Sequence, residues 1–102
     1  MSAGVGKVEQ RGYYFYQATA AANVVVKASA GFLYGIIIGK DVASSVVEVS
    51  DSVSDGDGNV QIYLEGSTLL TSTNGYVPVN AVFANGITAD LTNQTNVTFI
   101  YR

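Results

Sequence analysis

With no histidine and no cysteine among its 102 residues, this chain has only carboxylates for acid–base chemistry. Imidazole proton transfer, Ser-His triads, thiol nucleophiles and thiolate metal sites are all removed. A glycosidase-type pair needs two Asp or Glu side chains on opposite sides of a cleft, and Glu48, Asp51, Glu65 and Asp90 are the residues that could supply one. Spacing in a β-rich chain specifies no such pair, so they read as solvated carboxylates on strand faces and turns. The expectation is a protein with no catalytic residues and no enzymatic activity.

Asp55-Gly56-Asp57-Gly58-Asn59, with Asp51 nearby, resembles the opening of an oxygen-rich calcium loop. An EF-hand loop begun at Asp55 needs glycine where Val60 stands and a bidentate acid where Gly66 stands, so the pattern fails. The same letters make a turn, and neither a metal nor a cofactor is expected. Asn93-Gln94-Thr95 and Asn96-Val97-Thr98 match the glycosylation acceptor pattern, which has meaning only in a secreted eukaryotic protein. Gly31, Gly35 and Gly39 recur at four-residue spacing around Ile36-Ile37-Ile38, in a β context that makes neither a phosphate loop nor a membrane-helix contact.

The remaining cluster is aromatic. Tyr13-Tyr14-Phe15-Tyr16 places two rings on each face of a strand, so both faces need cover unless one is a contact surface. One reading is a core strand with a half-exposed tyrosine pair. The other is an arm that docks on another chain, with these four residues as partner-binding anchors.

The elements that must hold these residues read as strands. Val60, Ile62 and Leu64 alternate with Gln61 and Tyr63; Val77, Val79, Ala81 and Phe83 alternate across Pro78; Val97, Phe99 and Tyr101 oppose Asn96, Thr98 and Ile100. Period two in Val, Ile, Thr, Tyr and Phe is the pattern of half-buried strands. Less regular candidates are 13–17, 24–28, 33–38, 45–49, 67–71 and 87–91. Pro78 removes a ladder donor and confines its strand to a sheet edge or a bulge. Asn85-Gly86 and the other Gly- and Asn-containing signals fall at roughly ten-residue spacing and read as tight turns. The alanine-rich stretch 17–23 is too short to persist as a helix and reads as a linker or a single turn. The expected fold is all-β, an antiparallel β-sandwich of jelly-roll-like form.

Residues 1–23, with a glycine-rich head, mixed charges and the aromatic run, read as an N-terminal arm; residues 24–102 read as the sandwich domain. Eight acidic residues against Lys7, Arg11, Lys27, Lys40 and Arg102 give a net charge of −3, and the scattered cations argue against nucleic-acid binding. Only 13% of residues are charged, about half the usual share. A surface so poor in charge can be covered by another protein with little desolvation. The first residues lack a signal-peptide h-region, and the apolar runs are far shorter than the ~20 residues of a spanning helix. The expectation is a soluble protein made in a cytoplasm, with no membrane partner.

Four segments in order, 27–36, 46–51, 82–88 and 96–102, resemble a family of small phage virion structural proteins of the capsid decoration, or cement, type. The resemblance covers residues 24–102. It implies a compact sandwich without catalytic residues, bound as a homotrimer to the major capsid protein on the outer surface of an icosahedral head. It also implies location in the virion after synthesis in the host cytoplasm. Two other uses fit the same residues: a tail-fibre or receptor module that stacks carbohydrate on Tyr34, Tyr63 or Tyr76, and a head–tail connector.

Overall fold

The computed structural model describes residues 7–10, 12–20, 22–39, 45–53, 59–65, 75–93 and 96–102, with the backbone alone at 7–10. They form nine strands: β1 (Lys7–Gln10), β2 (Tyr13–Ala18), β3 (Asn23–Lys27), β4 (Gly31–Ile38), β5 (Val46–Asp51), β6 (Val60–Glu65), β7 (Tyr76–Phe83), β8 (Ile87–Thr92) and β9 (Val97–Tyr101). No described residue is helical. The fold is all-β, in two antiparallel sheets ordered β1-β2-β9-β4-β7 and β3-β8-β5-β6. The expected strand at 67–71 lies outside the described residues, and so does the expected turn at 55–59 apart from Asn59.

The pairings are nested. β5 pairs β6, β4 pairs β7, β3 pairs β8 and β2 pairs β9. From β2 to β9 the chain is one long hairpin whose successive strand pairs fall in alternate sheets. Contacts of β4 with β9 and of β5 with β8 close each sheet. The inward side chains of both sheets form a single core cluster, with Leu33, Ile36, Phe83, Val97, Phe99 and Tyr101 from one sheet and Val26, Val47, Val49, Ile87, Ala89 and Leu91 from the other. Removing this apolar surface from water is the main term holding the sheets together.

Three features follow the sequence pattern. Val77, Val79, Ala81 and Phe83 all pack on the core, Val97, Phe99 and Tyr101 do likewise, and Pro78 sits on the outermost strand of its sheet, at the register shift between Leu33 and Gly35, where a missing N–H is tolerated. Three others differ. Val60 does not join Ile62 and Leu64 on the core face, because Ser50 pairs Val60 while Val49 pairs Ile62; Gln61 is an extra residue that turns Val60 outward. Asn85-Gly86 does not close a hairpin within a sheet: it links β7 of one sheet to β8 of the other. The alanine-rich stretch 17–23 lends Gln17 and Ala18 to β2 and Asn23 to β3, with Thr19, Ala20 and Ala22 in the connection between them.

Residues 13–18, assigned by sequence to an arm, form β2, hydrogen-bonded between β1 and β9. Gln10 and Tyr13 are register partners, so the connection is two residues long. Its Gly12 has φ 84°, the conformation such a turn demands and glycine adopts without penalty.

Candidate interaction face

Alternation along β2 sends Tyr16 and Ala18 toward the core and Tyr14 to the same side at its exposed rim, 36% accessible, with Tyr13 and Phe15 on the opposite side. Tyr14, Tyr16 and Ala18 face Tyr101, Phe99 and Val97 in register. The Tyr14 and Tyr101 rings lie 5.7 Å apart, Tyr16 packs on the core, and Ala18 is part of it. The four aromatics are therefore divided between two surfaces, and only Tyr13 and Phe15 belong to the outer face of the five-stranded sheet.

On that outer face they meet aromatics from distant parts of the chain. A β-bulge in β4 is the cause: Leu33 pairs Tyr101 and Gly35 pairs Ile100, leaving Tyr34 as the extra residue. The Tyr34 ring sits 4.9 Å from that of Tyr13 at 46°, a tilted contact favoured by ring quadrupoles. The bulge also lets Leu33 and Ile36, three positions apart, both be fully buried. Gly35 is needed where it stands, since a Cβ there would come within 2.6 Å of Tyr76 Cε1. The missing side chain lets Tyr76 lie across the strand. Burial pushes the Tyr76 phenol above its ordinary value, and the neighbouring Tyr34 adds to the shift.

Phe32 and Arg102 complete the group. The strand end is fixed by reciprocal backbone bonds: Phe32 N donates to Arg102 O, and Arg102 N to Phe32 O, both at 2.8 Å. The Arg102 guanidinium carbon then lies 5.1 Å from the Tyr13 ring centroid and 6.0 Å from that of Phe32, within cation–π range. Ile100 is only 9% exposed yet stands outside the core cluster, so the outer face has a packed apolar layer of its own. Exposed around it are Tyr34 at 38%, Ile37 at 37% and Val82 at 78%.

The other outer surface has a different character. On the four-stranded sheet, Glu48 of β5 is the register partner of both Asp90 on β8 and Tyr63 on β6, and Asn23 of β3 is that of Asp90. Tyr63 is 57% exposed, a whole sandwich thickness from Tyr34 and Tyr76, so the three tyrosines considered as carbohydrate platforms do not form one site. Glu65 lies on the same surface, opposite Val46. Asp51 acts instead as a corner brace, its carboxylate accepting backbone N–H bonds from Ala84 (3.1 Å), Asn85 (2.7 Å) and Gly86 (3.3 Å). The Asn85 bond leads in holding the Asp51 carboxyl below its ordinary value; burial opposes it, and the Ala84 and Gly86 bonds add to it. Among the described residues no three Asp or Glu side chains are grouped to hold a metal ion.

All the carboxylate side chains described thus belong to the four-stranded sheet, while Tyr13, Phe15, Phe32, Tyr34, Tyr76 and Arg102 share the outer face of the five-stranded one. Sequence reasoning does not single out Phe32 and Arg102 as site residues. The Phe-Leu-Tyr alternation at 32–34 is the signal that marks two aromatics for one face. No protein-family model matches this chain, nor does any curated protein or solved structure.

Proposed function

We propose that this chain is a non-enzymatic virion component, a capsid decoration protein that seats the outer face of its five-stranded sheet on the exterior of an icosahedral phage head. The observation that carries the reading is the contrast in charge between the two outer faces: one is aromatic and free of described carboxylate side chains, whereas the other bears Glu48, Glu65 and Asp90 among its exposed Val25, Val60 and Tyr63. Large exposed apolar patches on a small domain mark contact surfaces, and Tyr and Arg are the residues that dominate binding energy in them. A module that coats a shell needs one face to dock and an opposite face that stays hydrated.

The strand order supports a sandwich of jelly-roll form. In the sheets β1-β2-β9-β4-β7 and β3-β8-β5-β6, the four nested pairs apart from β1 follow the strand order expected of an eight-stranded jelly roll, an architecture used by capsid and lectin domains. In this reading the N-terminal arm, residues 1–23, includes the β1–β2 hairpin, laid along β9. The partners are the major capsid protein and, in a homotrimer, two further copies of the chain. Binding only the assembled lattice stabilises that state by mass action, and three linked contacts gain avidity.

The test is to incubate purified protein with empty capsids of its own virus and image the particles. Added density on the outer surface, lost in Tyr34→Ser and Val82→Asp but kept in Tyr63→Ser, is the expected result. Absence of density, or loss in Tyr63→Ser alone, rejects the reading. A carbohydrate-binding tip is a second reading, favoured by the adjacency of Tyr34 and Tyr76; it predicts signal on a glycan array that Tyr34→Ser removes.

A further inference from the structure

We propose that the aromatic face takes a protein segment presenting a carboxylate among apolar residues, with Arg102 as the anchor for that carboxylate. The proposal rests on the docking reading above and names the chemistry of the occupant.

Among the described residues, Arg102 is the charged side chain of this face. Its backbone is pinned to Phe32 by two 2.8 Å bonds, and its guanidinium lies over the Tyr13 ring at 5.1 Å. The cation–π contact restricts the guanidinium, whose N–H donors turned away from the ring can meet a planar acceptor. No side-chain carboxylate pairs with it among the described residues, since Glu48, Asp51, Glu65 and Asp90 all belong to the other sheet and its corner. A purely apolar partner would bury this cation with no counter-charge from any described side chain, which is strongly unfavourable. A partner that brings a carboxylate turns the same burial into a bidentate, charge-assisted contact.

Nucleic acid is the weaker occupant. Lys27 is the one other described cation nearby, its side chain lying beside Gly31 next to the Arg102 carbonyl. The two described cations release too few counterions for useful affinity, whereas Tyr13, Phe32, Tyr34, Ile37 and Val82 offer apolar area suited to the flanks of an acidic residue. The occupant is therefore an acidic, leucine-like protein segment.

The probes are two capped peptides, Leu-Glu-Leu and Leu-Gln-Leu amides, titrated into the full chain by heteronuclear NMR with the Arg102 Nε signal included. The acid peptide should bind about tenfold more tightly than the amide, as expected of a charge-assisted hydrogen bond, and shift Tyr13, Phe32 and Arg102. Arg102→Gln should erase the difference, Arg102→Lys should retain part of it, and high salt should reduce it. Equal binding of the two peptides by the wild type overturns the proposal, and so does inorganic phosphate producing the same shifts at the same concentration. Capsid binding separates the two claims. Density on shells that is indifferent to salt and to Arg102→Gln sinks the anchor and leaves docking intact; peptide discrimination without shell binding supports the anchor and removes the docking reading.

Discussion

Glu48 on β5 and Asp90 on β8 are cross-strand register partners, two carboxylates directly opposed on the outer face of the four-stranded sheet. Tyr63 and Asn23 flank them in the same row, and no described cation faces them. Like charges opposite one another weaken a strand pair by a few tenths of a kcal/mol, up to about 1. Glu48→Gln should therefore raise stability slightly, and Glu48→Lys should raise it further by creating an opposite-charge pair. A gain of about 0.5 kcal/mol corresponds to roughly 2–4 °C in Tm for a domain of this size. Thermal melts at low and high salt check it: the gain should shrink with salt, and a loss of stability in Glu48→Gln would show that the carboxylate has a favourable partner.

How far such pairs are legible in the sequence depends on whether alternation runs unbroken. Along β7 and β9 it does, and the pattern alone marks Val77, Val79, Phe83, Val97, Phe99 and Tyr101 for one face. Along β4 and β6 a single inserted residue, Tyr34 or Gln61, resets the phase, and period-two reasoning has no term for a bulge. That is why the pattern misplaces Val60 and does not foresee the meeting of Tyr34 with Tyr13. β1, with its charges and flanking glycines, carries no strand signature at all and is held by its pairing to β2. The Glu48–Asp90 pairing needs strand order, which nested hairpins determine and local sequence does not.

Asp51 ties the end of β5 to the corner between β7 and β8 through three backbone N–H groups. Its carboxyl is held below the ordinary value chiefly by the Asn85 bond. The sign follows from linkage: a depressed folded value contributes stability that is present above the unfolded carboxyl value of about 3.9 and is lost as pH falls through the lower folded one. Asp51→Ala should thus lower Tm at neutral pH, and the gap from wild type should narrow below about pH 4. A gap that stays constant from pH 7 to pH 2 would assign the loss to packing and not to the ionised carboxylate.

Gly86 and Gly12 are both turn glycines, required for different reasons. A Cβ on Gly86 would collide with the Ser52 carbonyl oxygen and come within 2.9 Å of that of Lys27, main-chain atoms that cannot move aside. A Cβ on Gly12 would meet nothing within 4 Å, leaving only the φ of 84° as a penalty. Gly12→Ala should cost about 1 kcal/mol, the usual penalty for a left-handed non-glycine residue. Gly86→Ala should cost clearly more, about 3 kcal/mol, as overpacking against fixed backbone does. Urea denaturation of the two variants orders them, and equal losses would contradict the assignment.

Tyr101 is almost fully buried at 2% exposure, and its hydroxyl finds no hydrogen-bond partner among the described residues. Burial raises the phenol's proton affinity, with Tyr14 and Tyr16 adding to the effect. A buried polar group left unsatisfied costs about 1–3 kcal/mol, whereas the ring itself is part of the core. Tyr101→Phe keeps the ring, so it should leave stability unchanged or raise it by up to about 1 kcal/mol, net of the small cavity where the oxygen was. Tyr101→Ala removes the ring and should cost about 3–5 kcal/mol, as for other buried aromatics. Urea denaturation of the two variants separates the contributions of ring and hydroxyl. A loss above about 1 kcal/mol in Tyr101→Phe would mean that the hydroxyl is bonded in solution, to an ordered water at the β2–β9 end of the core.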